Sequence, residues 1–256
     1  MKKFLYDIFA EKWLNGCDSI WVISDPHFSD TESYKLRGLL NVLGDLIFAK
    51  EQGESRPYDL YIEERLKVLD EMQIKNINSK AGKNSCLIIL GDVGNLECVK
   101  RLKAKRKILI MGNHDKGASN YKKEYWFTMN DGSPLHFEDK STEKRVISGD
   151  LNIINVKTCN NGLFDEVYEG PLMINDRVIL SHEPITVPEY MFNIHGHVHE
   201  ADYKCDEYHL NCCAEVIDYS PINLLDLIKK GLLKDIENIH RKTIDFATEN
   251  KKSKEN

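Results

Sequence analysis

The sequence contains no apolar run approaching the roughly 18 residues that a membrane-spanning helix needs. Its amino terminus starts basic and then turns apolar, as a signal peptide does. However, Asp7 and Glu11 interrupt the apolar run, and no small-residue cleavage site follows. We therefore expect no membrane association and no signal peptide, and we interpret this segment as an amphipathic helix.

Paired cysteine motifs are also missing. The seven cysteines are odd in number and form no Cys-x-x-Cys pair, which argues against a disulfide framework or a thiolate-ligated zinc site. Cys86 and Cys98 lie in apolar or helical contexts and are expected to be buried thiols. This usage of cysteine is typical of a reducing compartment, so we expect a cytoplasmic location.

The sequence has no excess of positive charge. Its formal net charge of -6 argues against a protein that holds nucleic acid through its overall field. The one basic cluster runs from Lys100 to Lys107, on and just after a predicted helix, where such runs are usually a solvated face. A nucleic-acid partner is therefore not expected.

Short apolar runs alternate with helical patterns in the first half of the chain. Residues 60–79 have the apolar spacing of a long helix, and 94–105 are predicted to form a short crossover helix. This alternation predicts an α/β domain with a sheet buried by helices. The predicted buried strands are 20–24, 86–90, 107–111, 178–181 and 192–195.

The second half has more strand signals. Residues 173–178 predict two strands joined by an Asn-Asp turn, and 208–217 predict another strand. Helices are expected over 222–230, introduced by Pro221 and ended by Gly231, and from about 233 to 247. Segment 129–162 is a possible insertion within a single domain of residues 1–248. The tail, 249–256, has no apolar residue and is expected to be disordered.

Five polar motifs follow predicted strands. In an open α/β sheet, ligands bind at the carboxyl ends of the strands, so these motifs are expected to converge. Alone, each has an ordinary alternative: an Asp-x-His triplet or a Gly-Asp pair is more often a plain turn. Their shared placement outweighs that alternative. The motifs are Asp25-Pro26-His27, Gly91-Asp92, Gly112-Asn113-His114-Asp115, Ser181-His182-Glu183 and Gly196-His197-Val198-His199.

The residue types in these motifs indicate a metal site. Carboxylate, imidazole and amide oxygen without thiolate suit divalent Mn, Fe, Zn, Co or Ni. Seven candidate ligands exceed the three or four that one catalytic zinc takes, yet they suffice for two ions if one carboxylate bridges. Two ions about 3.5–4 Å apart can clamp both the attacking and the leaving oxygen of a phosphoryl displacement.

The order of the five motifs resembles that of the calcineurin-like metallophosphoesterases, over about residues 20–228. Three further matches resemble a small bacterial and phage-type branch: Arg56-Pro57-Tyr58 before the long helix, His195 ahead of Gly196, and Tyr219-Ser220-Pro221-Ile222. The resemblance implies a two-sheet sandwich flanked by helices, in an α/β/β/α arrangement. It implies a hydrolase acting on a small phosphate ester or nucleotide-type substrate.

The resemblance also implies a role for each motif residue. One metal ion would be held by Asp25, His27, Asp92 and His199, and the other by Asp92, Asn113, His182 and His197. Asp92 would bridge the ions together with a hydroxide, the nucleophile. His114 would bind no metal and act as general acid, a role that suits imidazole near neutral pH. We expect Mn first, with Fe, Zn, Ni or Co as alternatives.

One departure from the family pattern concerns phosphate binding. Many larger relatives carry an acid three residues after the bridging Asp, followed by a phosphate-binding Arg, whereas this chain has Asn95 and Leu96. Phosphate must then be bound by another cation. Lys116, Arg56 and Arg37 are the candidates, with solvated surface charge as the alternative for each.

The remaining polar residues near the motifs receive supporting roles. Asp115 is expected to cap its turn or orient a ligand. His195, on the opposite strand face, is expected to pack in the core or orient a ligand, and Glu183 to lie in a turn. His136, His209 and His240 show no partner pattern and are treated as ordinary.

These observations predict a phosphodiesterase, because a diester carries less charge for the missing Arg to neutralise. Three alternatives remain: a phosphomonoesterase, a nuclease, and a non-catalytic scaffold that kept the fold. A scaffold usually loses at least one ligand, and here every position is filled. A nuclease should carry a basic stripe with interleaved aromatic residues, which the sequence lacks.

Overall fold

The strands that carry the predicted motifs lie in two sheets of a computed structural model. The structure describes residues 12–37, 53, 58–137, 143, 146–147, 154–158, 160–174, 177–201, 206–231, 233, 236, 243 and 246. Arg56, His240 and the tail 249–256 lie outside the described residues. The predicted amino-terminal helix lies outside them as well, apart from residues 12–14, which are helical.

The first sheet has five strands in the order β12-β1-β2-β3-β7. Neighbouring strands from β1 to β7 are parallel, and β12 pairs antiparallel with β1 at one edge. Every residue of the central β2 is buried, as expected for a strand covered on both faces. The bounds are β1 Ser19–Ile23, β2 Ser85–Ile89, β3 Arg106–Ile110, β7 Glu166–Tyr168 and β12 Ile222–Asn223.

The second sheet has four strands in the order β11-β10-β9-β8. Strands β9, β10 and β11 are parallel, and β8 pairs antiparallel with β9, which confirms the predicted strand pair on either side of residues 175–176. The turn residues themselves lie outside the described part of the chain. The bounds are β8 Leu172–Met173, β9 Val178–Leu180, β10 Phe192–His195 and β11 His209–Asn211.

Two hydrophobic clusters fill the space between the two sheets and the space between the first sheet and the helices. Between the sheets, Val22 and Ile88 of the first pack with Leu180 and Ile194 of the second. On the other face of the first sheet, alternate residues such as Leu87 pack against helices. The sequence prediction of an α/β fold with a two-sheet sandwich is therefore confirmed. The helices are α1 Thr31–Leu36, α2 Tyr58–Lys80, α3 Leu96–Lys100, α4 Ala118–Tyr121 and α5 Leu224–Lys229.

Several predicted boundaries are wrong because asparagine caps and strand pairing set them. The crossover helix 94–105 is only α3, since the Asn95 side chain accepts a hydrogen bond from Glu97 N and starts the helix there. The helix predicted from 222 begins at Leu224, because residues 222–223 pair with β1 and Asn223 is the cap. The strand predicted over 208–217 is limited to β11 and continues as turns.

Segment 129–162 contributes to a third, antiparallel sheet of three strands in the order β5-β4-β6. Its strands are β4 Tyr125–Met129, β5 Pro134–Leu135 and β6 Ile154–Thr158. Within the described residues, no helix is long and apolar enough to cross a membrane. The predicted helix 233–247 lies mostly outside the described residues, and the division into one domain stays a prediction.

Candidate metal centre

The first cluster consists of Asp25, His27 and His199, whose candidate ligand atoms lie within 4.8 Å of one another. Asp25 and His27 follow β1, and His199 follows β10, so the sandwich brings together residues 172 positions or more apart. Asp25 Oδ1 and His27 Nε2 are both buried and have no hydrogen-bond partner in the described part of the chain. Because unpaired buried polar atoms are costly, these two atoms fit a site that takes a cation.

The second cluster consists of Asp92, His182 and His197, again within 4.8 Å. They follow β2, β9 and β10. Asn113, which follows β3, joins them, since its Oδ1 lies 2.8 Å from His182 Nε2 and 3.2 Å from His197 Nδ1. Carboxylate oxygens, imidazole nitrogens and an amide oxygen thus converge at the carboxyl ends of strands from both sheets.

Asp92 lies between the two clusters. Its Oδ2 is 3.4 Å from His27 Nε2 of the first cluster and 3.5 Å from His182 Nε2 of the second. The other oxygen, Oδ1, accepts a hydrogen bond from His114 N at 2.9 Å. One carboxylate oxygen is therefore fixed by main chain, and the other faces both candidate metal positions.

Five of the seven candidate ligands have positive φ, a conformation that L residues rarely adopt. The values are 53° for Asp25, 44° for His27, 50° for Asp92, 68° for His197 and 51° for His199. Each such residue costs roughly 1–3 kcal/mol unless its surroundings compensate. Backbone strain is concentrated at these ligands, as is typical of a functional site.

The motif glycines allow backbones to approach the ligands closely. A Cβ on Gly196 would lie 1.8 Å from Ser24 Oγ and 2.2 Å from Asp25 Oδ2. A Cβ on Gly112 would lie 2.2 Å from Asp92 Oδ1. The Gly-His and Gly-Asn pairs are therefore steric requirements of this arrangement.

Hydrogen bonds fix the orientation of the imidazoles. His27 Nδ1 contacts Asp30 Oδ2 at 3.0 Å, and His199 Nδ1 contacts Glu215 Oε1 at 2.6 Å. In the second cluster, His182 Nδ1 contacts the main-chain oxygen of Leu90 at 2.8 Å. In each case the ring's Nε2 is left for the site, which is how proteins commonly orient histidine ligands.

The charge states of two carboxyl groups follow from their contacts. Burial alone would raise the pKa of Asp25, but contacts with His27, His182, Ser24 and the His197 N–H hold it well below the usual range. Asp25 is thus ionised, as a metal-binding carboxylate must be. Burial raises the pKa of Asp115.

Asp115 organises the turns that carry Asp92 and Asn113. Its Oδ2 accepts hydrogen bonds from Asp92 N and Gly112 N, both at 2.9 Å, and its Oδ1 accepts one from Val93 N at 3.2 Å. The carboxylate is therefore committed to main chain and binds the loops together. This matches the supporting role expected for it from the sequence.

His114 lies at the mouth of the centre. Its side chain is 63% exposed, and its Nε2 lies 4.0 Å from Asp92 Oδ2. An open depression beside it is also lined by Ser29, Asn95 and Tyr121. The histidine is thus reachable from solvent while facing the side chain that joins the clusters.

The structure constrains the substrate-binding candidates. Arg37 is not a free surface cation, because it pairs with Glu215 Oε2 at 3.2 Å and its side chain is 4% exposed. Lys116 is exposed, and its backbone N–H donates to Tyr121 Oη at 3.2 Å. Asn95 donates to Ser29 Oγ in addition to capping α3.

His195 and His209 form a buried pair, and part of the basic cluster is engaged in ion pairs. His195 is fully buried and its ring packs edge-on against His209, whose Nε2 lies 2.8 Å from Ile185 O. In the basic cluster, Lys100 pairs with Glu97, and Arg101 pairs with Glu71.

Sequence reasoning missed the residues that support the ligands. Asp30, Glu215 and Asp70 each contact a motif residue or its loop, but none belongs to a recognisable motif. Asp30 and Glu215 lie a few residues after strands, a signal that many surface carboxylates share, and Asp70 lies within the long helix α2 with no signal of its own.

A two-sheet sandwich with carboxylates, imidazoles and an amide clustered in two adjacent groups defines a class of protein, the metal-dependent hydrolases. Residues 19–225 match the sequence model of the calcineurin-like phosphoesterase family, and the chain belongs to that family. It is therefore assigned to the metal-dependent hydrolases of phosphate esters. The branch within the family stays a prediction.

Other comparisons add little. No curated protein matches the sequence significantly. A similar solved structure is that of a protein of unknown function, AQ665, from Aquifex aeolicus. It is 23% identical, with a TM-score of 0.46, over 82% of this chain and 98% of that one, a likeness too low to support an argument about function.

Proposed function

We propose that this protein is a phosphodiesterase with a dinuclear metal centre. The observation that carries the proposal is the position of Asp92, whose Oδ2 lies 3.4 Å and 3.5 Å from a histidine of each cluster. Asp25, His27, Asp92 and His199 would hold one ion, and Asp92, Asn113, His182 and His197 would hold the other. When bound, the two divalent cations supply positive charge for the phosphate oxygens and acidify water to give the nucleophile.

The protein's own groups orient the substrate and move the proton. The phosphate lies over the face that Asp92 shares between the clusters, and His114 Nε2 protonates the leaving oxygen. The leaving group occupies the open depression that Asn95 and Tyr121 line. Lys116, exposed just beyond His114, is the described cation that we propose to contact the phosphate, and Arg56 is a second candidate.

The metal identity is proposed from donor chemistry. The hard and borderline donors suit Mn first, with Fe, Zn, Ni or Co as alternatives. A cytoplasmic location is likewise proposed, and it agrees with the free buried thiols of Cys17, Cys86, Cys98, Cys212 and Cys213.

The nuclease and scaffold alternatives have less support. The basic cluster contributes to β3 at its amino end, the end opposite to the one carrying Asn113, and several of its charges are paired. A scaffold would not need to keep strained residues with buried atoms that lack a hydrogen bond, such as Asp25 Oδ1 and His27 Nε2.

A hydrolysis screen tests the proposal. The metal-free protein is reconstituted with Mn, its metal content is measured by elemental analysis, and aryl diesters, aryl monoesters, cyclic nucleotides and short oligonucleotides are compared. We expect two ions per chain and the highest kcat/KM for a diester. A stoichiometry that never exceeds one ion would contradict the dinuclear centre, and inactivity on all substrates would favour the scaffold.

A further inference from the structure

Helix α1 is linked to the first cluster at both of its ends, directly at its start and through Glu215 at its end. At its start, the N-cap residue Asp30 accepts from Ser33 N through Oδ1 and contacts His27 Nδ1 through Oδ2. At its end, Arg37 pairs with Glu215, whose other oxygen contacts His199 Nδ1 at 2.6 Å. A single six-residue helix therefore lies between the carboxylates that orient both imidazoles of this cluster.

The Arg37 end is built as a rigid and buried contact. Arg37 and Glu215 side chains are only 4% and 5% exposed, so each charge needs the other to be tolerated. The guanidinium also donates through Nε and Nη2 to Ser33 Oγ, at 3.0 Å and 2.6 Å, which fixes its plane against α1. Arg37 thereby holds one oxygen of Glu215 while the other contacts His199.

The helix is itself fastened to the long helix α2. Tyr34 is fully buried, and its hydroxyl donates to Asp70 Oδ1 at 2.8 Å. The same Asp70 accepts hydrogen bonds from Ser29 N and Ser29 Oγ, in the loop that carries His27. The loop and α1 are thus anchored to one point of the scaffold.

The strained backbone and the ring contacts of His199 indicate that its position depends on Glu215 and Arg37. Its φ is 51°, and Asn211 Nδ2 donates to its main-chain oxygen at 2.7 Å. The ring centroids of His199 and His27 are 5.4 Å apart, so a small rotation of either ring changes the distance between their donor atoms.

We propose that α1 is a positioning element for the first cluster, with Asp30 acting on His27 and Arg37 acting on His199 through Glu215. The inference rests on the proposed function, because it concerns how tightly this cluster holds its cation. Outer contacts of this kind typically change metal affinity by about 10–100-fold. The loss should be confined to one of the two binding steps.

The test is a Co²⁺ titration of the metal-free protein, following visible absorption and binding heat. Arg37→Met, Glu215→Gln and Asp30→Asn should each weaken one binding step by about 10–100-fold, change its absorption spectrum and leave the other step unchanged. The control is Glu32→Gln, which breaks the exposed Glu32–Lys35 pair on the same helix and should change neither step. Unchanged affinity in all three variants would overturn the inference.

A double-mutant cycle tests the helix as a unit. Asp30 and Arg37 do not contact each other in the described structure, and both contact Ser33 of α1, so effects that do not pass through the helix should add as free energies. If α1 transmits the positioning, Asp30→Asn with Arg37→Met should cost less than the sum of the single losses. Strict additivity would show two separate supports and overturn the role of the helix.

A second set of variants distinguishes loss of metal affinity from loss of folding. Arg37→Met leaves a buried carboxylate unpaired, whereas Arg37→Met with Glu215→Gln removes both charges and should restore the unfolding temperature of the metal-free protein. The affinity of the affected step should stay low in that double variant. If affinity returns along with stability, the pair is only structural. If the wild-type protein never binds two ions, the proposed function fails instead.

Discussion

Asp92 is the side chain whose loss should affect both candidate metal positions at once, because one of its oxygens faces a histidine of each cluster. Asp92→Asn keeps the shape and the acceptor for His114 N. We expect activity to fall by more than the roughly 10–100-fold that an outer contact costs, and the metal content to drop below two ions. Elemental analysis and kcat with Mn measure this, and a folded variant with the wild-type rate would show that the site is misplaced.

His114 should affect chemistry without affecting metal content. Because its side chain is 63% exposed, His114→Ala should change stability by less than about 0.5 kcal/mol. A general acid typically contributes about 10²–10⁴-fold, so kcat should fall by that amount for alkyl-type esters. Nitrophenyl esters, whose leaving group needs little protonation, should lose less. Equal losses for both would indicate that His114 stabilises charge or positions the phosphate instead.

Individual ligands could be predicted from sequence where short motifs carried them. Asp25, His27 and Asp92 each follow a predicted strand within a few residues. Because the carboxyl ends of parallel strands meet at one edge of a sheet, the strand predictions alone place these residues near one another. Arg37 and Glu215 could not be paired in the same way. They are 178 positions apart, and only the folded chain brings the guanidinium to the carboxylate.

The turn after β10 depends on the absence of a side chain at Gly196. Gly196→Ala would place a Cβ 1.8 Å from Ser24 Oγ and 2.2 Å from Asp25 Oδ2. We expect a loss of about 1–3 kcal/mol in the free energy of unfolding, as for other overpacked sites, together with weaker metal binding at the first cluster. Gly82→Ala is the control, because nothing lies within 4 Å of its Cβ. Denaturant unfolding of both variants measures the difference, and equal stability would contradict the close approach.

Elements with recurring apolar residues were predictable, and their ends were not. The strands β1, β2, β3, β9 and β10 follow apolar runs that their burial explains, and α2 follows the apolar residues that it buries, such as Ile62, Leu69 and Ile77. Helices α3 and α5 begin later than expected because asparagine side chains cap them at Asn95 and Asn223. For α5, the Asn223 cap competes with the proline signal at Pro221, and the pairing of β12 with β1 decides where the helix begins.

For the whole molecule, metal binding should raise stability, since the clusters hold buried carboxylates and unpaired donors that the folded chain alone assembles. A ligand present at 100 times its Kd adds about 2.7 kcal/mol to the free energy of unfolding. We expect the melting temperature to rise with Mn concentration and to fall on chelation. Calorimetry measures this, and Asp92→Asn should show a smaller rise. A melting temperature independent of metal would contradict a site formed on folding.

The charge around the centre should also set the preference of the site for phosphate diesters over monoesters. A monoester dianion benefits from a fixed cation beside its oxygens, and the position that carries an Arg in larger relatives holds Leu96 here. Arg37 does not replace it, because that guanidinium is committed to Glu215 and Ser33. Lys116 is exposed on a flexible stem, so we expect it to contribute modestly.

We therefore expect kcat/KM for bis-nitrophenyl phosphate to exceed that for nitrophenyl phosphate in the Mn-loaded protein. A diester carries one negative charge, which two cations can neutralise without the missing Arg, and both probes release the same nitrophenolate, so their comparison isolates this effect of charge. Lys116→Ala should lower monoester activity more than diester activity, while Lys83→Ala, exposed ahead of β2 at the opposite end of the sheet, should change neither. A clear monoester preference would refute the diester proposal, and its loss in Lys116→Ala would identify this lysine as the residue that binds the dianion.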